Sequence, residues 1–181
     1  MRESSKAALG GIVSALAIVI MLSTYISPLL VYTAPPFAGL LLLLIVNELG
    51  YKWSVGTYVS ISLLSIFLIA DKESAVFFTM FFGYFPILSV FFENRIKNKI
   101  LRYIIKLKIF DISCFLSIMI CIYVFGISYD DLTQDGLIFT IAFILLMNVL
   151  FVVYDILVVR LQQLYLIKFK KRFRKLFNIK N

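Results

Sequence analysis

Apolar residues in this chain fall in long unbroken runs, covering 7–26, 34–49, 54–70, 75–92, 109–125 and 137–159. A helix needs about 17–25 mostly apolar residues to cross the hydrocarbon core of a bilayer, and each run is near that length. The second run is short, so its helix is expected to begin upstream, within 28–33. Continuous runs predict helices, because the strands of a membrane barrel alternate apolar and polar positions. The expected fold class is therefore all-α: a polytopic integral membrane protein, a six-transmembrane-helix bundle over 1–159, followed by a basic amphipathic tail over 160–181.

Between the runs the periodicity changes. In 93–108, Ile96, Ile100, Ile104 and Leu107 recur at helical spacing, with Lys97, Arg102, Lys106 and Lys108 mostly elsewhere around the wheel. This predicts a basic amphipathic helix at the membrane surface between spans four and five. In the tail, Leu161, Tyr165, Phe169, Phe173 and Phe177 form one face, and Lys168, Arg172 and Lys175 another. Such segments either anchor to anionic membrane lipids, at about 1 kcal/mol per basic residue, or dock a partner.

Charge turns the runs into a topology. The 181 residues include 18 Lys and Arg against 10 Asp and Glu, for a net charge of +8, although 62% of the chain is hydrophobic. Seventeen of the 18 basic residues lie before the first run, between runs two and three, between four and five, or after the sixth. The exception is Lys72. The remaining connections are uncharged (27–33) or mainly acidic, with Asp71, Glu73, Asp130, Asp131 and Asp135. Positive-inside logic predicts a multi-pass plasma-membrane protein with both termini cytoplasmic, which an even number of spans satisfies. The first run exceeds the roughly 7–15 apolar residues of a signal peptide and lacks a small-x-small cleavage site, so it reads as an uncleaved helix.

Several function classes lose their chemistry. The chain has no histidine, which removes the usual general base and the commonest transition-metal ligand. It has no glycine-rich phosphate loop, and its connections are too short to fold as soluble domains. Cys114 and Cys121 are seven apart in one run, beyond disulfide reach, and read as packing residues. No catalytic residue, metal or cofactor is expected, and an energised function would need an ATPase on another chain. Glu48, Asp111 and Asp155 fall near the basic ends of their runs, where pairing with Lys52, Lys108 or Arg160, or acceptance from backbone donors, is expected in preference to a proton relay. Nucleic-acid binding is not expected, since the basic residues lie against the membrane.

The first run carries an interaction signal. Ala7, Gly11 and Ala15, spaced by four, form a ridge of small residues, with Gly10 and Ser14 beside it. Small ridges let helices approach closely in lipid, where packing replaces the missing hydrophobic drive. The ridge meets either a helix of the same chain or a partner.

Six spans, cytoplasmic termini and a first-helix ridge resemble the substrate-binding S components of energy-coupling-factor vitamin transporters. In that family the ridge is commonly Ala-x-x-x-Ala; here its middle residue is Gly11. The resemblance implies that Ala7, Gly11 and Ala15 contact a transmembrane coupling subunit driven by two ABC-type ATPases. It also implies a ligand near the outer end, beneath the first connection. Here that segment, 27–36, is apolar and holds Pro28, Pro35 and Pro36, and reads as a lid or as an ordinary tight connection. Candidate substrate-binding residues are Tyr32, Tyr84 and Asn148. Phe81, Phe82, Tyr84 and Phe85 either stack on a flat ligand or face lipid, and Pro86 should kink its helix and free a carbonyl. The acidic outer connections favour a small neutral or cationic micronutrient as substrate. The alternative is a non-transport scaffold of an envelope or cell-shape complex.

Overall fold

A computed structural model describes residues 2–27, 29–126 and 136–169, with side chains except at 121, 136–144 and 169. The described residues are helical, with no strand among them: α1 (Glu3–Leu22), a 3₁₀ turn (Ser23–Tyr25), α2 (Leu30–Leu40), α3 (Leu42–Glu48), α4 (Tyr51–Leu68), α5 (Lys72–Phe77) running into a π turn (Phe78–Phe82), α6 (Phe85–Arg95), α7 (Lys99–Tyr123), and α8 (Gly136–Leu164) ending in a second π turn (Tyr165–Phe169). Four helical segments are long and apolar enough to cross a membrane: Glu3–Tyr25, Leu30–Glu48, Lys72–Arg95 and Leu145–Lys168. These carry the first, second, fourth and sixth apolar runs.

The third and fifth runs form α4 and α7, which are more polar and arrange that polarity with a helical period. In α4, Ser54, Thr57, Ser62 and Ser65 are buried, while Val55, Val59, Leu63 and Phe67 point outward. In α7, Lys106, Ser113 and Ser117 are buried, and Ile112, Phe115 and Leu116 are exposed. The helix of the second run begins at Leu30, upstream as its length required. Gly50, at φ +84° and ψ 179°, makes the tight turn from α3 into α4, an extended positive-φ conformation essentially reserved for glycine that costs other residues about 1–3 kcal/mol.

Connections gather at two ends of the bundle. At one, the Tyr25 hydroxyl donates to Leu68 O (3.3 Å) and accepts from Ala70 N (3.1 Å), and the Tyr32 hydroxyl donates to Glu73 (3.2 Å). Lys72, the one basic residue outside the one-sided pattern, donates to Ile66 O and Ile69 O, both at 2.9 Å. Its cation sits on the carbonyls that end α4, where the helix dipole favours positive charge. At the other end, Lys6 lies over the Trp53 ring (5.9 Å), Asn94 donates to the Tyr51 hydroxyl (3.2 Å) and Tyr165 donates to Glu48 (2.8 Å). Among the described residues, Lys6, Lys52 and Arg95 lie in the helix turns at this second end.

The basic 93–108 stretch is not a separate surface helix. From Lys99 it forms the first turns of α7, which continues unbroken to Tyr123. The Asn98 side chain caps it, accepting from Ile100 N (3.0 Å) and Leu101 N (3.4 Å), which satisfies donors that a helix start otherwise leaves open. No Gly or Pro interrupts 99–123. The turns that read as amphipathic thus point Lys106 inward, at 1% exposure. Of the C-terminal amphipathic tail, Leu161, Tyr165 and Lys168 are helical, while Arg172, Phe173, Lys175 and Phe177 lie outside the described residues.

Candidate functional site

The fourth run holds the bundle's main irregularity. Gly83 N donates to Phe78 O at 2.7 Å, an i→i−5 bond, so the Thr79 carbonyl loses the donor an α-helix would give it. Pro86 has no N–H, which deprives the Phe82 carbonyl in the same way. Neither oxygen is left bare. The Tyr58 hydroxyl donates to Thr79 O (2.6 Å) and the Tyr154 hydroxyl to Phe82 O (3.3 Å), shared with Pro36 O (3.4 Å). Tyr84, just past the break, shares a hydrogen bond with the Ser113 hydroxyl (2.6 Å). The break is thus tied to α4, α8, α2 and α7, as a low-dielectric surrounding demands of unpaired backbone groups. Gly39 makes the approach possible: a Cβ there would collide with the Phe82 carbonyl and stand 2.8 Å from the Tyr154 hydroxyl.

Beside this break lies a cavity of about 270 Å³ between α2, the π turn, α7 and α8. Its walls include Phe81 and Phe82 of the turn, Phe110 and Cys114 of α7, and Phe151 and Tyr154 of α8. Phe81 packs against Phe110 (ring centroids 4.8 Å apart) and Phe110 stacks on Phe151 (4.8 Å), so the aromatic floor is held by mutual contacts. The wall hydroxyls of Thr33 and Ser117 are turned to backbone, donating to Leu29 O (3.3 Å) and Ser113 O (2.7 Å), while that of Tyr32 donates to the Glu73 carboxylate (3.2 Å). None of the described lining residues is charged. Such a space suits a neutral, apolar or flat aromatic group, and lies near the small end of the roughly 300–1,000 Å³ of ligand pockets.

Of the residues expected to bind substrate, Tyr32 lines this cavity. Tyr84 is half-buried with its hydroxyl on Ser113, and Asn148 is half-buried on α8 beside the lining residue Met147; neither is among the lining residues. Of the 27–36 segment, residues from Leu30 onward belong to α2, with Pro35 and Pro36 inside the helix. The expected lid is therefore mostly helix, and Tyr32, Thr33 and Pro36 form cavity wall. Phe110, Cys114, Phe151 and Tyr154 were not foreseen. Only Tyr154 had a signal in the sequence, as a hydroxyl within an apolar run able to meet the carbonyl that Pro86 frees.

The two small-residue tracks of α1 face different ways. Gly10 and Ser14 are buried against neighbouring helices, and a Cβ on Gly10 would sit 3.2 Å from the Thr57 hydroxyl. Ala7, Gly11 and Ala15 are exposed, and a Cβ on Gly11 meets nothing.

A cluster of charges joins α6, α7 and α8 near the basic end. Lys106 Nζ binds Asp155 (2.7 Å), the Ser89 hydroxyl (2.9 Å) and Glu93 (3.4 Å). Arg102 Nε also binds Glu93 (2.8 Å). Asp155 therefore pairs with Lys106 rather than the expected Arg160, and Glu48 accepts from Tyr165 rather than from Lys52. Side chains five apart on one helix point about 140° apart, so Arg160 is badly placed for Asp155. Among the described residues no three His, Cys, Asp or Glu side chains group to hold a metal ion.

No protein-family model, no curated protein and no solved structure matches the chain.

Proposed function

We propose that the chain is a six-span plasma-membrane protein with cytoplasmic termini that binds a small neutral, largely apolar or aromatic molecule in the cavity beside the π turn. It acts as a substrate-binding subunit for uptake, with α1 presenting Ala7, Gly11 and Ala15 to a transmembrane coupling subunit and its ATPases. The six-span reading is supported by the inward-turned polar residues of α4 and α7, whose outward faces are apolar. The observation that carries the function is the aromatic cavity with no described charged wall residue. It favours a neutral over a cationic substrate, because no described wall residue is a carboxylate, and Glu73, which accepts from the Tyr32 hydroxyl, lies outside the lining.

The test is native mass spectrometry of the gently purified full chain, looking for a retained small molecule. Cys114→Trp, which fills the cavity, should abolish retention. Wild-type protein that carries no molecule and captures no coupling subunit would sink the reading. The exposed ridge by itself also favours a second reading, a non-transport membrane scaffold, in which a partner co-purifies through α1 with no ATPase and no bound small molecule.

A further inference from the structure

At the basic end, a second and more open cleft of about 750 Å³ lies between α7 and α8. Its lining divides into two parts. Lys106, Arg102, Glu93 and Asp155 pair among themselves, two cations with two anions. Lys99 and Arg160 also line the cleft, are exposed, and take no part in any ion pair among the described residues. The cleft therefore carries two uncompensated cations over a neutralised floor. The donors at the start of α7 are not the source of this character, since Asn98 already occupies them.

The rest of the wall is apolar. Ile100, Ile104 and Ile156 line the cleft and are 73%, 48% and 54% exposed. Cations beside exposed aliphatic side chains on membrane-buried helices match an amphiphile with an anionic head. A soluble anion would leave the isoleucines unused.

We propose that this cleft seats one anionic phospholipid, with its phosphate between Lys99 and Arg160 and its acyl chains along Ile100, Ile104 and Ile156. Basic pockets between membrane helices are a recurring means of holding such headgroups. The proposal is independent of what the aromatic cavity binds and requires only that α6 to α8 lie in a bilayer.

Purified full-length protein, delipidated and titrated with phosphatidylglycerol or phosphatidylcholine, is read by native mass spectrometry for bound lipid. Wild type should retain one phosphatidylglycerol in preference to phosphatidylcholine by roughly tenfold or more. Lys99→Gln with Arg160→Gln, both at exposed side chains, should remove the preference. Arg95→Gln with Lys97→Gln, which deletes the same charge outside the cleft, should keep it. Equal loss in the two double variants would reduce the effect to diffuse surface attraction and overturn the site, as would absence of preference in wild type. Displacement of phosphatidylglycerol by millimolar inorganic phosphate would overturn the lipid in favour of a soluble anion.

Discussion

Lys106 and Tyr154 show what single side chains do in a setting with little water. Lys106 is buried with two carboxylates in reach. Removing Asp155 as Asp155→Leu leaves a buried cation short of its closest partner, and should cost about 3–5 kcal/mol; denaturation in detergent measures it. Lys106→Met combined with Asp155→Leu should cost less than either change alone, because a buried pair replaced by apolar groups is often near neutral. Tyr154→Phe strands the Phe82 carbonyl and should destabilise by about 1–3 kcal/mol. The sequence placed Asp155 near a basic end and in a pair, and that much was legible. Its partner was not, because cross-helix register depends on packing that no single run encodes.

Helices are where the reading from pattern succeeded most and also slipped. The start of α2 upstream of its apolar run, the freed carbonyl at Pro86 and the two small tracks of α1 all follow from local rules. The prolines at 35 and 36 and the basic turns of 99–108 misled, because neighbouring elements decide whether such residues end a helix or continue it. α1 offers a clean test. Gly11→Leu points into open space and should leave stability within about 0.5 kcal/mol, while abolishing co-purification of any α1 partner. Gly39→Ala, by contrast, drives a methyl into the Phe82 carbonyl and should cost about 1–3 kcal/mol in the same denaturation assay.

Across the whole molecule, one-sided charge predicted which connections share an end, and the hydrogen bonds of Tyr25, Tyr32 and Tyr165 join the ends it grouped. The aromatic cavity was not legible, since four elements far apart in sequence build it. The Lys106–Asp155 pair has a consequence for how the protein is made. A lysine costs about 2.5–3.5 kcal/mol at the centre of a membrane helix on insertion scales and less toward its ends, and α7 carries Lys106, Lys108 and Asp111 at the basic end of its apolar run. Glu93 emerges from the ribosome first but is shared with Arg102, while Asp155 follows Lys106 by 49 residues. In the proposed six-span arrangement α7 runs from the cytoplasmic side outward, so by itself it is a weak restart of translocation and should insert stably only when α8 brings Asp155 to Lys106. Nascent chains truncated before residue 155 should hold α7 at the interface, and glycosylation mapping of sites engineered after Tyr123 should find them untranslocated until α8 is complete.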